Sequence, residues 1–134
     1  MVSVILAAVR QLERTAIRSI VEKDVINCEV KEADDIEEVL SILESGVCPD
    51  LAVLDTELDS EEDIFLLERL TTNFSFLKVL IISTNSSEEI VKTAFSLGVK
   101  GYLLKDCCMD ELSLAITQIA AGKEMLCSSL GLKF

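Results

Sequence analysis

Short hydrophobic runs alternate along the chain with longer segments in which apolar residues recur every three or four positions. The short runs are almost entirely apolar, which is typical of strands that are buried on both faces of a sheet. The longer segments have the spacing of amphipathic helices. The predicted strands are residues 2–8, 25–30, 50–55, 78–83 and 100–104, and the predicted helices are residues 10–23, 34–45, 61–72, 87–97 and 110–121.

Polar residues and glycines mark several of the helix ends. Ser86 and Glu89 have the spacing of a capping box at the start of the fourth helix. Gly46, Gly98 and Gly122 follow the second, fourth and fifth helices, and glycine is the usual residue after a helix end.

Five strands in strict alternation with five helices predict an α/β fold, a (βα)5 doubly wound parallel sheet with helices on both faces. Right-handed crossovers favour the strand order 2-1-3-4-5. The same winding places the second, third and fourth helices on one face, and the first and fifth on the other. Ligands of such sheets bind at the carboxyl ends of the strands, so the residues that follow each strand are the ones to examine.

Charge is concentrated in one part of this 134-residue chain, whose length fits a single domain. The net charge is −12, and residues 29–63 contain 14 acids against a single base, Lys31. Nucleic acids and anionic membranes favour basic surfaces, so neither is expected as a direct partner. The alternative is that the negative charge only serves solubility.

Composition excludes several classes of enzyme and site. The chain has no histidine, which removes Ser-His and Cys-His catalysis and imidazole-bound zinc. Its five cysteines form no C-x-x-C pair, so reduced thiols in a cytoplasmic protein are expected. No apolar stretch approaches the ~20 residues that span a bilayer, and no signal peptide is evident. Since the sequence contains no recognisable nucleophile–base pair and no cofactor-binding loop, we expect a protein that is not an enzyme.

Three polar side chains follow successive predicted strands. Asp55 ends the third strand, Ser83 ends the fourth and Lys105 follows the fifth. Each alone is an ordinary cap or turn residue. Together they place a carboxylate, a hydroxyl and a cation at one edge of the sheet, where the lysine can pair with Asp55 or with a phosphate on it.

The stretches DLAVLDTEL around Asp55, KVLIIST around Ser83 and GVKGYLLKD around Lys105 resemble the receiver domain of two-component response regulators, especially of the NarL/LuxR type. The resemblance covers residues 2–122 and implies a flavodoxin-like receiver fold. It implies that Asp55 accepts a phosphoryl group from a histidine kinase, that Ser83 and Lys105 contact that group, and that Tyr102 is the aromatic switch residue. Residues 123–134 resemble the start of a linker to a helix-turn-helix domain, which this chain lacks and which would bind DNA.

The chain departs from the family pattern where the family binds metal. The two acids that usually end the first strand and hold Mg²⁺ are Ala8 and Val9 here. Since neither side chain ligates a hard cation, we expect Mg²⁺ binding to be weak or absent. An apolar pocket is expected to raise the pKa of Asp55 or to favour a direct pair with Lys105. Glu57 or Asp59 is an alternative replacement ligand.

Two surfaces suggest contact with a partner. Arg10, Arg14 and Arg18 recur every four residues on the first helix and form either a solvated basic stripe or a contact face. Leu114 lies off the main apolar stripe of the fifth helix, so self-association through the first and fifth or the fourth and fifth helices is expected.

The function expected from these features is that of an atypical receiver domain, the regulatory part of a NarL/LuxR-type transcriptional regulator. It would act as a homodimer or by binding a partner, with impaired Mg²⁺-dependent phosphorylation. The alternative is a working phosphoacceptor that a histidine kinase phosphorylates on Asp55.

Overall fold

The computed structural model describes residues 2–25, 27–106 and 109–126, in which strands and helices alternate as the hydrophobic pattern predicts. The strands are β1 (Val2–Ala7), β2 (Cys28–Ala33), β3 (Leu51–Asp55), β4 (Lys78–Ser83), β5 (Gly101–Leu104) and β6 (Met125–Leu126). The helices are α1 (Gln11–Asp24), α2 (Ile36–Glu44), α3 (Glu61–Asn73), α4 (Glu88–Ser96) and α5 (Leu112–Ala120), and the 3-10 turn Met109–Glu111 leads into α5.

All the strands run parallel in a single sheet with the order β2-β1-β3-β4-β5-β6. The predicted order 2-1-3-4-5 is therefore confirmed, but the predicted count of five is wrong. Met125 and Leu126 add a sixth strand beside Gly101 and Tyr102. The rest of the linker-like tail, residues 127–134, lies outside the described residues.

The second strand lies three residues later than predicted. Val25 ends α1 and is buried beneath it, but it does not join the sheet. Pairing with β1 runs from Cys28 to Ala33, and the exposed residues Glu29 and Lys31 alternate with buried ones there. An edge strand with one solvent-exposed face lacks the continuous apolar run from which the inner strands are predicted.

Each face of the sheet carries its own apolar core, as the right-handed winding predicts. One core joins the sheet to α2, α3 and α4, with Val39, Leu67 and Val91 fully buried. The other joins it to α1 and α5, where Val21 and Ile116 are buried. The crossovers thereby leave the carboxyl ends of β1, β3, β4 and β5 free to carry polar side chains.

Side-chain caps fix the starts of three helices. The carboxylate of Asp35 accepts a hydrogen bond from a backbone N–H of α2, and Ser60 does the same for α3. At α4 the cap is Ser87, whose hydroxyl accepts from the N–H of Ile90 at 3.4 Å. The capping box predicted for Ser86 is therefore one residue out of place.

The arginines predicted to form a basic stripe on α1 are paired with acids of the neighbouring strand and loop. Arg14 Nε lies 2.9 Å from a carboxylate oxygen of Glu32, and Arg18 Nη1 lies 2.6 Å from the other. Arg14 also contacts Asp34 at 2.9 Å. These pairs neutralise the charge of the stripe from Arg14 to Arg18, and contact of this face with a partner stays a prediction.

Candidate functional site

Asp55 closes β3 at the carboxyl edge of the sheet, and its side chain is only 7% exposed. Its Oδ1 atom lies 2.7 Å from Lys105 Nζ, so the direct pair foreseen from the apolar surroundings is present. The Oδ2 atom is buried and makes no hydrogen bond within the described part of the chain. Lys105 is positioned by its own backbone N–H, which donates to the carbonyl oxygen of Ser83 at 2.8 Å and continues the pairing of β4 with β5.

Glu13 from α1 completes an ion cluster with these two residues. Its Oε2 atom lies 3.2 Å from Lys105 Nζ, so one ammonium group serves two carboxylates. Burial raises the pKa of Asp55 above its ordinary value of 3.8 against the opposing charge of Lys105, and Glu13 raises it further. Burial lowers the pKa of Lys105, but the two carboxylates more than offset this, and the net change is upward.

A second carboxylate, that of Glu57, binds the residues at the end of β4. The hydroxyl of Ser83 donates to Glu57 Oε2 at 2.7 Å, and the backbone N–H of Thr84 donates to the same atom at 2.8 Å. The hydroxyl of Thr84 donates to Glu57 Oε1. Both oxygens of Glu57 are therefore engaged, and the donors among the described residues are all neutral.

A chain of hydrogen bonds connects this contact to Tyr102 in β5. The N–H of Asn85 donates to the hydroxyl oxygen of Ser83 at 2.9 Å, and the phenol of Tyr102 donates to the carbonyl oxygen of Asn85 at 2.6 Å. Tyr102 is completely buried. Burial raises the pKa of its hydroxyl, and the charge of Glu57 adds to that effect.

The loop that carries Glu57 is held by a strained, buried residue. Leu58 has φ +52°, in the left-handed region that leucine seldom adopts, yet its side chain is 1% exposed and packs in the core beside α2, α3 and α4. Its N–H donates to the hydroxyl of Thr56 at 3.3 Å. The amide of Asn85 also donates to the backbone carbonyl of Glu57 at 3.0 Å. Glu57 therefore projects from a loop fixed on both sides.

An open cleft of about 680 Å³ lies over Asp55, Glu57 and Lys105. Of the two positions where the resemblance implies metal ligands, Val9 lines this cleft and is 76% exposed. Ala8 is buried, and its carbonyl oxygen accepts from Arg14. Both positions lack a side-chain oxygen, Oδ1 of Asp55 is held by Lys105, and both oxygens of Glu57 accept from Ser83 and Thr84. Of these four carboxylate oxygens, Oδ2 of Asp55 is the one without a partner among the described residues, and a single oxygen is a poor match for a hard divalent cation, which takes about six or more oxygen ligands. No cluster of three metal-ligating side chains occurs among the described residues.

The sequence predicts Asp55, Ser83 and Lys105 at the carboxyl edge, and the resemblance adds Tyr102 on the fifth strand. In the structure Asp55 contacts Lys105, while Ser83 and Tyr102 are connected through Asn85. Sequence reasoning missed Glu13 as a partner of Lys105. It noted Glu57 only as an alternative metal ligand. The spacing of Glu57 from Asp55 places it at the same sheet edge, but only the backbone turn at Leu58 shows where it points.

A family model described as the response regulator receiver domain matches residues 4–117. The chain belongs to this family. The nitrate/nitrite response regulator NarL of Escherichia coli is 31% identical over 117 residues, which cover 87% of this chain and 54% of NarL. The chain thus spans about half the length of this curated relative.

Other relatives extend the same picture of a receiver domain of the NarL/LuxR type. The transcriptional activator DevR/DosR of Mycobacterium tuberculosis is 35% identical over 78 residues, 58% of this chain and 36% of its own. The signal receiver domain of a NarL-type regulator from the same organism superposes with a TM-score of 0.78 at 26% identity, covering 91% of this chain and 98% of that one. A LuxR-family regulator from Silicibacter pomeroyi shares the fold with a TM-score of 0.82 at 23% identity, covering 94% and 96%.

Receiver domains of this family are in general signalling modules rather than enzymes. Across the residues described, no helix of this receiver is long and apolar enough to cross a bilayer.

Proposed function

We propose that this receiver is atypical and that it relays a signal with impaired Mg²⁺-dependent phosphorylation. The observation that carries the proposal is the pair Ala8 and Val9 at the end of β1, where the resemblance implies two metal-binding acids. Without those ligands, the cation in contact with Asp55 that can neutralise the charge on a phosphoryl group in transfer is Lys105, and that ammonium is already shared with Glu13.

The proposed role is that of the regulatory part of a NarL/LuxR-type transcriptional regulator in a two-component pathway, acting in the cytoplasm. Free thiols such as Cys28 and Cys48 suit that reducing compartment. The net charge of −12 opposes direct binding to nucleic acid, so DNA binding is assigned to a separate helix-turn-helix domain.

The second candidate function is a working phosphoacceptor that a histidine kinase phosphorylates on Asp55. It is favoured by the contact of 2.7 Å between Asp55 and Lys105, since a cation at that point stabilises a phosphoryl group as well as a carboxylate.

Incubation with acetyl phosphate and Mg²⁺, followed by intact-protein mass spectrometry, separates the two candidates. The atypical receiver acquires no acid-labile phosphate, with or without Mg²⁺. Mg²⁺-dependent labelling that disappears in Asp55→Asn contradicts it and establishes the phosphoacceptor. Asp110→Asn serves as a matched control, because it makes the same substitution at an exposed carboxylate that does not line the cleft.

The proposed output is binding to a second copy through α1 and α5, which lie together on one face of the sheet. Leu12 on α1 is 83% exposed and Leu114 on α5 is 51% exposed, and exposed leucines on neighbouring helices favour association. Sedimentation equilibrium of Leu114→Glu is expected to show self-association weakened about tenfold or more. Phe65→Glu, at a residue 58% exposed on α3, is the control for the opposite face. Equal effects of the two substitutions contradict this interface.

A further inference from the structure

We propose that Ser83 and Thr84 form an anion site and that the carboxylate of Glu57 is its built-in ligand, which holds Tyr102 buried without a phosphoryl group on Asp55. The inference rests on the proposed function, because it explains how a receiver with impaired phosphorylation holds a defined signalling state.

The contact has the chemistry of an anion site. Two hydroxyls and one backbone N–H converge on the two oxygens of Glu57. The hydroxyl of Ser83 and the N–H of Thr84 donate to Oε2 at 2.7 and 2.8 Å, and the hydroxyl of Thr84 donates to Oε1. These donors carry no formal charge, so the ligand supplies the negative charge that strengthens the bonds. Phosphoryl and carboxylate oxygens are both suitable acceptors for such a set of donors. Glu57 accepts from both hydroxyls and from the Thr84 N–H, so these three donors are occupied.

The ligand is preorganised by its own loop. Burial of Leu58 at φ +52° and the bond from the Asn85 amide to the Glu57 carbonyl fix the backbone on both sides of the carboxylate. Little backbone entropy is therefore lost when the side chain binds, which favours an intramolecular carboxylate over an anion from solution.

The site is coupled to Tyr102 through atoms that the ligand itself orients. When the hydroxyl of Ser83 donates a hydrogen bond to Glu57, the lone pairs of the Ser83 oxygen face the N–H of Asn85 and accept from it. The carbonyl oxygen of Asn85 in turn accepts from the phenol of Tyr102. Loss of the ligand frees the hydroxyl to rotate, which weakens the support for the Asn85 backbone and for the buried phenol.

The cleft that contains Asp55 is also lined by Glu57 and Thr84. A phosphoryl group on Asp55 that reached towards Ser83 would meet donors that Glu57 already occupies, and it would add a second negative charge beside that carboxylate. Occupation of the site by Glu57 therefore disfavours phosphorylation of Asp55, as the missing metal ligands do.

The test compares Glu57→Gln with wild type in the absence of Mg²⁺ and of any phosphoryl donor. Glutamine keeps the size of the side chain and removes its charge. Glu61→Gln is the matched control, since it makes the same substitution four residues away at an exposed carboxylate that does not line the cleft. The first readout is hydrogen exchange of the Thr84 amide. The second is collisional quenching of tyrosine fluorescence, which reports on Tyr102 alone because the chain has one tyrosine and no tryptophan.

In Glu57→Gln, exchange of the Thr84 amide is expected to accelerate about tenfold, as the loss of a charge-assisted hydrogen bond implies. Tyr102 is expected to become measurably more accessible to the quencher, while Glu61→Gln behaves as wild type. The inference is overturned if Glu57→Gln matches wild type in both readouts, or if Glu61→Gln changes them equally. Mg²⁺-dependent labelling of wild type would overturn the proposed function and leave these donor-free measurements as they stand.

Discussion

Lys105 Nζ lies 2.7 Å from Oδ1 of Asp55, and this contact joins the ends of two strands that are not neighbours in the sheet. The Asp55 side chain is almost fully buried, and its other oxygen has no partner within the described residues. The lysine therefore provides most of the compensation for a carboxylate removed from water. This pair stabilises the fold at the same point where the family performs its chemistry.

Lys105→Met is expected to destabilise the domain by about 2–4 kcal/mol, because it leaves a buried carboxylate unpaired while keeping most of the apolar stem. Urea unfolding at neutral pH measures the change. Lys92→Met is the control: Lys92 forms a contact of 2.8 Å with Glu88, but both side chains are more than half exposed. An exposed pair of this kind contributes less than about 0.5 kcal/mol. Equal losses in the two variants would contradict the role assigned to burial.

Stability is expected to depend on pH through Asp55. Burial raises its pKa above the ordinary 3.8, so the folded state binds this proton more tightly than the unfolded state does. The contribution of Asp55 to stability is therefore fully present below pH 3.8 and is lost as the pH rises through the folded pKa.

Urea unfolding of wild type and Asp55→Asn across the acid-to-neutral range isolates this effect. The free energy of unfolding of wild type, relative to that of the variant, should fall as the pH rises. Glu32, whose pKa Arg18 lowers against the opposing effect of burial, contributes in the opposite direction, but it does so in both proteins and cancels in the difference. A difference that is constant or that increases with pH would refute the assignment.

The inner strands could be predicted from the sequence because each is buried on both faces and therefore forms a continuous apolar run. β4 occupies the predicted residues 78–83, and β3 and β5 begin one residue late. The edge strands could not be predicted in this way. Half of the residues of β2 are charged, and only Val30 and Ala33 are buried. β6 is two residues long and is defined by its pairing with Gly101 and Tyr102. Their positions depend on a neighbouring strand rather than on local pattern.

The residues of the candidate site were also predicted only in part. Asp55, Ser83 and Lys105 were found because strand ends of a parallel sheet share one edge. The position of Glu57 depends on the left-handed backbone of Leu58, which could not be predicted because leucine seldom adopts that conformation. Glu13 was missed for a related reason, since the angle at which α1 crosses the sheet decides whether it reaches Lys105.

Arg14 is expected to matter more than Arg18, although both bind the carboxylate of Glu32. Arg14 is 13% exposed and also donates to Asp34 and, at 2.7 Å, to the carbonyl oxygen of Ala8. Arg14→Ala should therefore cost about 1.5–3 kcal/mol. Arg18 is 36% exposed, and Arg18→Ala should cost about 0.2–1 kcal/mol. Thermal or urea unfolding of the two variants side by side measures the difference, and the reverse ranking would show that exposure does not govern these pairs.

Gly101 in β5 leaves room for the helix and the strand that pack against it. A Cβ atom at this position would lie 2.6 Å from Ile119 Cδ1, 2.7 Å from Leu80 Cδ1 and 3.2 Å from the carbonyl oxygen of Met125. Because these side chains are fully buried, they have little room to move, and Gly101→Ala is expected to cost about 1–3 kcal/mol.

Ile119→Val removes the δ-carbon that the new methyl group would strike, and alone it is expected to cost about 0.5–1.5 kcal/mol. In the double variant the cost of Gly101→Ala should be smaller than in wild type, and a double-mutant cycle of urea unfolding measures this coupling. Gly122→Ala is the control for backbone strain, since Gly122 has φ +94° with open space around it. Its cost of about 1 kcal/mol should be unchanged by Ile119→Val. If the Gly101 variant shows no coupling to Ile119, crowding at β5 is not the cause of its instability.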